Sequence, residues 1–200
     1  MMFPPSATFR LVLLLLLLAA LPSRAYDSVV VINELQYHPA NEETETEWVE
    51  LRSLHGVDVN LSNWSLTGQV EFTFPEGTIL PGGGYLVVAK VPGQIPGAVG
   101  PFSGQLNNSG GTLRLLNQNG RIMDEVEYSD SGDWPVGADG SGATLARRDA
   151  SARTGAGAWI ASTELNGTPG GTNVYEGASP VETIAVGLGE VWKYEDSGNS

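Results

Sequence analysis

The 200-residue sequence predicts an all-β fold: an immunoglobulin-like β-sandwich, with a barrel as the second choice. Three observations point there. Short segments alternate apolar and polar residues with period two. Clusters rich in Gly (26 residues) and Pro (12 residues) separate them. No stretch after residue 25 carries a 3.6-residue apolar stripe over three turns.

Read in order, the chain opens with a segment that is not part of this fold. Arg10 precedes the apolar run Leu11 to Leu21, Pro22 breaks it, and Ser23-Arg24-Ala25 places small residues two apart. This is the pattern of a secretory signal peptide cut after Ala25. The run is too short for an ordinary membrane-spanning helix, which takes about 20 apolar residues, so an uncleaved anchor is the lesser alternative. The absence of Cys excludes a bacterial lipoprotein anchor, disulfides, thiolate zinc sites and cysteine nucleophiles together.

The expected strands follow. Val29 to Tyr37 is rich in β-branched residues and ends at His38-Pro39. Glu47 to Arg52 puts Val49 and Leu51 on one face. Trp64 and Leu66 alternate with Ser65 and Thr67, and Phe72 and Phe74 with Glu71 and Thr73 before Pro75 stops the strand. Tyr85 to Ala89 is continuously apolar, as a strand covered on both faces should be. Leu113 and Leu115, then Val126 and Tyr128, complete two more alternating segments. Asn117-Gln118-Asn119-Gly120 between them is a hairpin signal, since Asn and Gly accept positive φ. Ala143 to Ala146 is the weakest candidate. Trp48, Trp64, Phe72, Phe74, Tyr85 and Trp134 are the expected aromatic filling, each with roughly 150–250 Å² to bury.

Residues 151–172 turn to Gly, Ala, Ser and Thr, with Trp159-Ile160 as the one apolar anchor and Asn166 to Thr172 as a terminating loop. Strand-like composition resumes at Val181 to Val186 and Val191 to Tyr194. The expected organisation is a signal peptide at 1–25, one β-sandwich domain at 26–173, and a linker with the start of a second, truncated β-domain at 174–200.

Charge limits the partners. The net charge is −13, and removal of residues 1–25 takes away Arg10 and Arg24, leaving 8 basic against 23 acidic residues. Nucleic-acid binding depends on clustered Lys and Arg; here only Arg147, Arg148 and Arg153 gather. Nucleic acid and, after cleavage, anionic membrane are therefore disfavoured partners. A secreted domain without disulfides hints at a bacterial source.

Several segments together resemble the lamin-tail domain family in its bacterial, secreted form. They are Val31 to Pro39, Glu47 to Leu51, Leu61 to Leu66, Leu80 to Val88, Asp124 to Tyr128, Trp134-Pro135 and Asp139 to Arg147, in the family's order across residues 29–173. The resemblance implies an immunoglobulin-like β-sandwich without catalytic residues. Trp192 to Asp196 is similar, over five residues, to the start of a jelly-roll module. The sequence has no coiled coil, so the nuclear roles of animal lamins do not transfer.

Candidate chemistry is sparse. Glu42, Glu43, Glu45, Glu47 and Glu50 crowd five carboxylates into nine residues, which reads as a solvated acidic loop before it reads as a calcium site, because no Asp-x-Asp-x-Asp-Gly loop is present. Asp139 to Gly142 reads as a turn. Glu34 and Glu50, on neighbouring expected strands, are a conceivable acid/base pair if a cleft and raised pKa values support them. Strand-edge charges that block edge pairing are the commoner reading. Asp124 shares a face with Ile122, Val126 and Tyr128; turned inward, it needs Arg147 or a backbone N–H as partner, unless a bulge turns it out. His38 and His55 lie in different loops and make no zinc site. No Gly-x-Ser-x-Gly elbow or phosphate loop occurs. Asn60, Asn63, Asn107 and Asn166 begin N-glycosylation triplets, meaningful only in eukaryotic secretion.

No catalytic, cofactor-binding or metal-ligating residue is assigned and no cofactor is expected. The expectation is a monomeric, non-catalytic exported module that binds an unidentified protein or glycan, or acts as a spacer, in a larger extracellular or cell-surface protein. The alternative is a non-catalytic part of a secreted multidomain hydrolase whose enzyme domain lies beyond Ser200.

Overall fold

This computed structural model describes residues 29–40, 46–148 and 155–177. The signal-like segment 1–25, Glu42, Glu43, Glu45, Arg153 and the expected second β-domain from 181 onward lie outside the described residues.

The described strands are β1 (Val30–Gln36), β2 (Trp48–Ser53), β3 (Val59–Asn60), β4 (Ser65–Gly68), β5 (Val70–Thr73), β6 (Ile79–Leu80), β7 (Tyr85–Ala89), β8 (Ser103–Gly104), β9 (Gly110–Leu116), β10 (Ile122–Ser129), β11 (Leu145–Arg147) and β12 (Trp159–Ala161). They form a five-stranded sheet in the order β12-β11-β1-β2-β7, a second in the order β10-β9-β4-β5-β8, and the small pair β3-β6. Neighbours within the two main sheets run antiparallel. This is an immunoglobulin-like β-sandwich, as the alternation and punctuation require. Within the described residues each segment expected to be a strand is one; the two-residue strands β3, β6 and β8 are too short to leave a periodic trace.

The filling comes from alternate residues of both sheets. Val30, Ile32, Leu35, Tyr37, Val49 and Leu51 face Leu66, Val70, Leu113, Leu115, Val126 and Tyr128 in one buried cluster. Each such side chain, taken out of water, stabilises the fold by about 1.5–3 kcal/mol before the entropy of ordering is set against it. The tilted rings of Tyr37 and Tyr128 meet at 4.9 Å, and Phe72 stands edge-on to Phe74 at 5.0 Å.

Two expected core aromatics sit elsewhere. Trp48 is buried, but on the outer face of the first sheet, with Val87 and Ala89 under Ile95 and Ala98. Parity dictates this: Val49 and Leu51 take the inner face, so Trp48 and Glu50 take the outer one. Tyr85 shares the outer face as a half-exposed residue, with the Arg52 guanidinium 5.4 Å from its ring centroid. The first sheet is therefore covered on both sides, as the continuous apolar run of β7 suggested: Val88 faces the core and Val87 faces the covering loop.

Strand β1 contains a bulge. Ile32 pairs with Leu51 but Glu34 pairs with Glu50, leaving Asn33 as the extra residue. Ile32 and Leu35 thus both reach the core although three residues apart, and Asn33 and Glu34 are both left for the outer face. A second bulge lies between Ile122 and Asp124 in β10. The β9–β10 hairpin closes as expected: Asn117 Oδ1 accepts from Asn119 N and Arg121 N, and Gly120 takes φ 72°.

Candidate functional site

The bulge at Asn33 assembles a cluster that alternation alone does not place. Glu34 and Glu50 are cross-strand partners on β1 and β2, in the middle of the first sheet. They are fully buried rather than strand-edge charges, which corrects the edge reading. A segment from Gly167 to Asn173 lies across them as a strap. Glu34 Oε1 accepts from the Thr144 hydroxyl, and the Glu34 carboxylate accepts from Thr168 N (3.2 Å to Oε2) and Thr168 Oγ1 (3.1 Å). Glu50 Oε1 accepts from Asn33 Nδ2 at 2.7 Å and Glu50 Oε2 from Gly170 N at 2.6 Å. Asn173 locks the strap: its Oδ1 accepts from Asn33 Nδ2 at 2.8 Å, while its Nδ2 donates to Asn33 O and Arg147 O.

Gly167 makes the close approach possible. It takes φ 68°, and a Cβ there would run into Glu34 Oε1 and the Thr144 side chain. Beyond the strap the chain stays attached through Thr163 N to Val174 O and Tyr175 Oη to Arg148 O.

Burial dominates the electrostatics of the pair. It pushes the Glu34 carboxyl above its ordinary value, against the hydrogen bonds from Thr144 and Thr168. It pushes Glu50 up to about 7; Gly170 N and Asn33 pull downward, the neighbouring Glu34 charge adds to the rise, and Arg52 opposes it. Raised values were one condition for acid/base chemistry. The other, a concave cleft, is not met: both groups have zero exposure and all four oxygens already accept hydrogen bonds. The pair serves as a latch for the strap.

Asp124 behaves as an inward carboxylate must. Despite its neighbouring bulge it stays buried, and Oδ2 accepts from Arg147 Nη2 at 2.6 Å and from Ile32 N at 2.8 Å. One carboxylate of the second sheet thereby ties β1 and β11 of the first. Burial raises its pKa, with the Arg147 guanidinium and the Ile32 N–H pulling back. Arg147 also lies over the Trp159 ring, 4.9 Å from its centroid.

Glu47, expected in a solvated acidic loop, is buried as well. Its Oε2 accepts from Leu106 N at 3.0 Å, and burial raises its pKa to about 7, opposed by that hydrogen bond and by Lys90. His38 Nδ1 meets Asp139 Oδ1 at 2.6 Å in the turn read from Asp139 to Gly142, and His55 lies in an exposed loop. Among the described residues no group of three or more His, Cys, Asp or Glu is placed to hold a metal ion.

The sequence reading missed Asn33, Thr144, Thr168, Gly170 and Asn173. The signal for the bulge was present in the three-residue spacing of Ile32 and Leu35. No local pattern announces that the loop after Asn166 returns to residues 34 and 50.

An open cleft of about 590 Å³ lies on the outer face of the second sheet, over β9 and β10. Ser109, Thr112, Glu125, Glu127, Ser129 and Trp134 line it. Thr112 stands directly opposite Glu127 and Arg114 opposite Glu125, and the Arg114 Nε donates to Glu125 Oε2. Trp134, expected as filling, is only partly buried: it packs on the core and forms one wall of the cleft.

No curated protein matches the chain. Residues 23–130, just over half of it, match the Lamin Tail Domain family. The match ends before β11, β12 and the strap, so the latch over Glu34 and Glu50 is closed by residues beyond it. With two antiparallel sheets and this match in hand, the chain belongs to the lamin tail domain family, a family of non-enzymatic immunoglobulin-like domains.

Proposed function

We propose that this chain is a non-catalytic β-sandwich module of an exported or cell-surface protein, acting by binding a protein or glycan. The observation that carries this reading is the fate of the carboxylates that had chemical potential. Glu34, Glu50 and Asp124 are closed off from solvent and used up in holding strands and strap together. What the described surface offers instead is an open polar cleft with an aromatic wall. Export rests on the residues Arg10 to Ala25 and predicts a mature N-terminus at Tyr26.

The test is retention of the full chain on a panel of polysaccharide and protein fractions, with turnover of the same materials followed in parallel. Saturable retention without turnover supports the reading. Release of hydrolysis products by the pure chain overturns it. A spacer role is a second reading, favoured by the contacts of Val174 and Tyr175, which hold the last described segment against the sandwich. Under it, retention is absent and deleting the module alters the display of its neighbours without altering their chemistry.

A further inference from the structure

We infer that the cleft over β9 and β10 is a binding site for a neutral, hydroxyl-rich oligosaccharide, an inference that rests on the binding-module reading above. Sugar recognition needs a flat apolar surface for the C–H face of a pyranose ring and fixed acceptors for the hydroxyls at its rim. Trp134 supplies the first. Glu125 supplies a fixed acceptor and Glu127 a second, unfastened one: they are alternate outward residues of one strand, about 6.8 Å apart by strand geometry. Glu125 is held in place by Arg114, whereas Glu127 is exposed and has no ion-pair partner among the described residues. Thr112, opposite Glu127, and Ser109 add hydroxyls that both donate and accept, while the Ser129 hydroxyl at the edge is already bonded to Ser131. The volume, about 590 Å³, is within the range of small-ligand sites.

Charge narrows the ligand class. Among the described residues none that lines the cleft is basic, and the chain carries a net charge of −13, so sulfated, phosphorylated or uronic-acid sugars are repelled. A basic peptide is attracted by the acidic surface as a whole, an attraction that salt screens. It does not account for an aromatic wall beside three hydroxyl side chains at one place.

The experiment is an amide NMR titration of the full chain with cellohexaose, chitohexaose and mannohexaose, with deca-lysine and heparin as counter-probes. Saturable shifts confined to residues 109–112, 125, 127–129, 134, 155 and 156 with at least one neutral hexasaccharide are expected. Glu127→Gln and Thr112→Val should each weaken binding about fivefold and Trp134→Ala at least about tenfold, a tenfold change being about 1.4 kcal/mol. Trp134 also packs on the core, so Trp134→Phe, with a melting curve, guards against simple misfolding. Failure of all three neutral sugars to saturate at about 10 mM, where a millimolar site would fill, overturns the inference, as does sugar binding that survives the cleft variants unchanged. Saturation of the cleft by deca-lysine in place of sugar overturns the ligand class and leaves the binding-module reading standing. Turnover of a bound sugar would strike at that reading itself.

Discussion

Replacing Glu50 with Gln converts burial of this carboxyl into a measurable pH dependence. Its pKa is about 7 in the folded protein, against an ordinary value of 4.5. The folded state therefore holds the proton more tightly than the unfolded chain between those two values. Stability contributed by the protonated group is complete below pH 4.5 and is lost as pH rises through about 7. A displacement of this size amounts to about 3 kcal/mol, at about 1.4 kcal/mol per pH unit. Gln does not ionise, but it offers one acceptor oxygen where the acid offers two, so either Asn33 Nδ2 or Gly170 N loses its partner, at a cost of about 1–3 kcal/mol that does not vary with pH. Glu50→Gln should thus start below the parent by about that amount at pH 5 and gain on it by about 2.5 kcal/mol between pH 5 and pH 8. Urea unfolding at intervals between these pH values, with the slope checked for constancy, reads the difference directly. Glu47 titrates with the same sign, is common to both proteins and largely cancels, whereas Glu34, coupled to the Glu50 charge, ionises more easily once that charge is gone and adds to the gain of the variant as pH rises. A Gln variant that is less stable by the same amount at every pH would refute the reasoning, because the ionised form would then be the one the strap requires.

Gly167→Ala should destabilise by about 2 kcal/mol, from a side chain forced into positive φ against Glu34. Faster amide exchange at Thr168 and Gly170 than in the rest of the sheet would mark it as a strap defect. Arg147→Ala leaves Asp124 buried with only the backbone N–H groups of Ile32 and Glu125 and no counter-charge, and should cost about 3–5 kcal/mol by urea unfolding; a change under 1 kcal/mol would show that the pair does not tie the sheets. Leu66→Ala, in the fully buried centre of β4, should cost about 2–5 kcal/mol without altering the pH dependence.

The strands were legible because alternation is a local property of the chain. Val49 and Leu51, Leu113 and Leu115, and Val126 and Tyr128 all face the core that their parity assigns them. The need of Asp124 for Arg147 or a backbone donor was also legible, since an apolar face tolerates a carboxylate only on those terms, and the fold supplies both. Trp48 was misplaced because its aromatic bulk was weighed above its parity. The burial of Glu34 and Glu50 was not legible, because it depends on a single extra residue in β1 and on a loop more than a hundred residues away. Sequence patterns report which face a residue takes; they do not report what later covers that face.

The strap also has a consequence in time. Thr168 lies 134 positions after Glu34, and Gly170 lies 120 after Glu50. On a chain emerging from its N-terminus, β1 and β2 are made long before the residues that seal them. Closure must therefore wait until the strap residues have been made, and contacts of such long range form slowly. Until the last turn of loop arrives, the two acids remain wetted and charged, so a nascent chain halted early would carry a soft seam along its central strands.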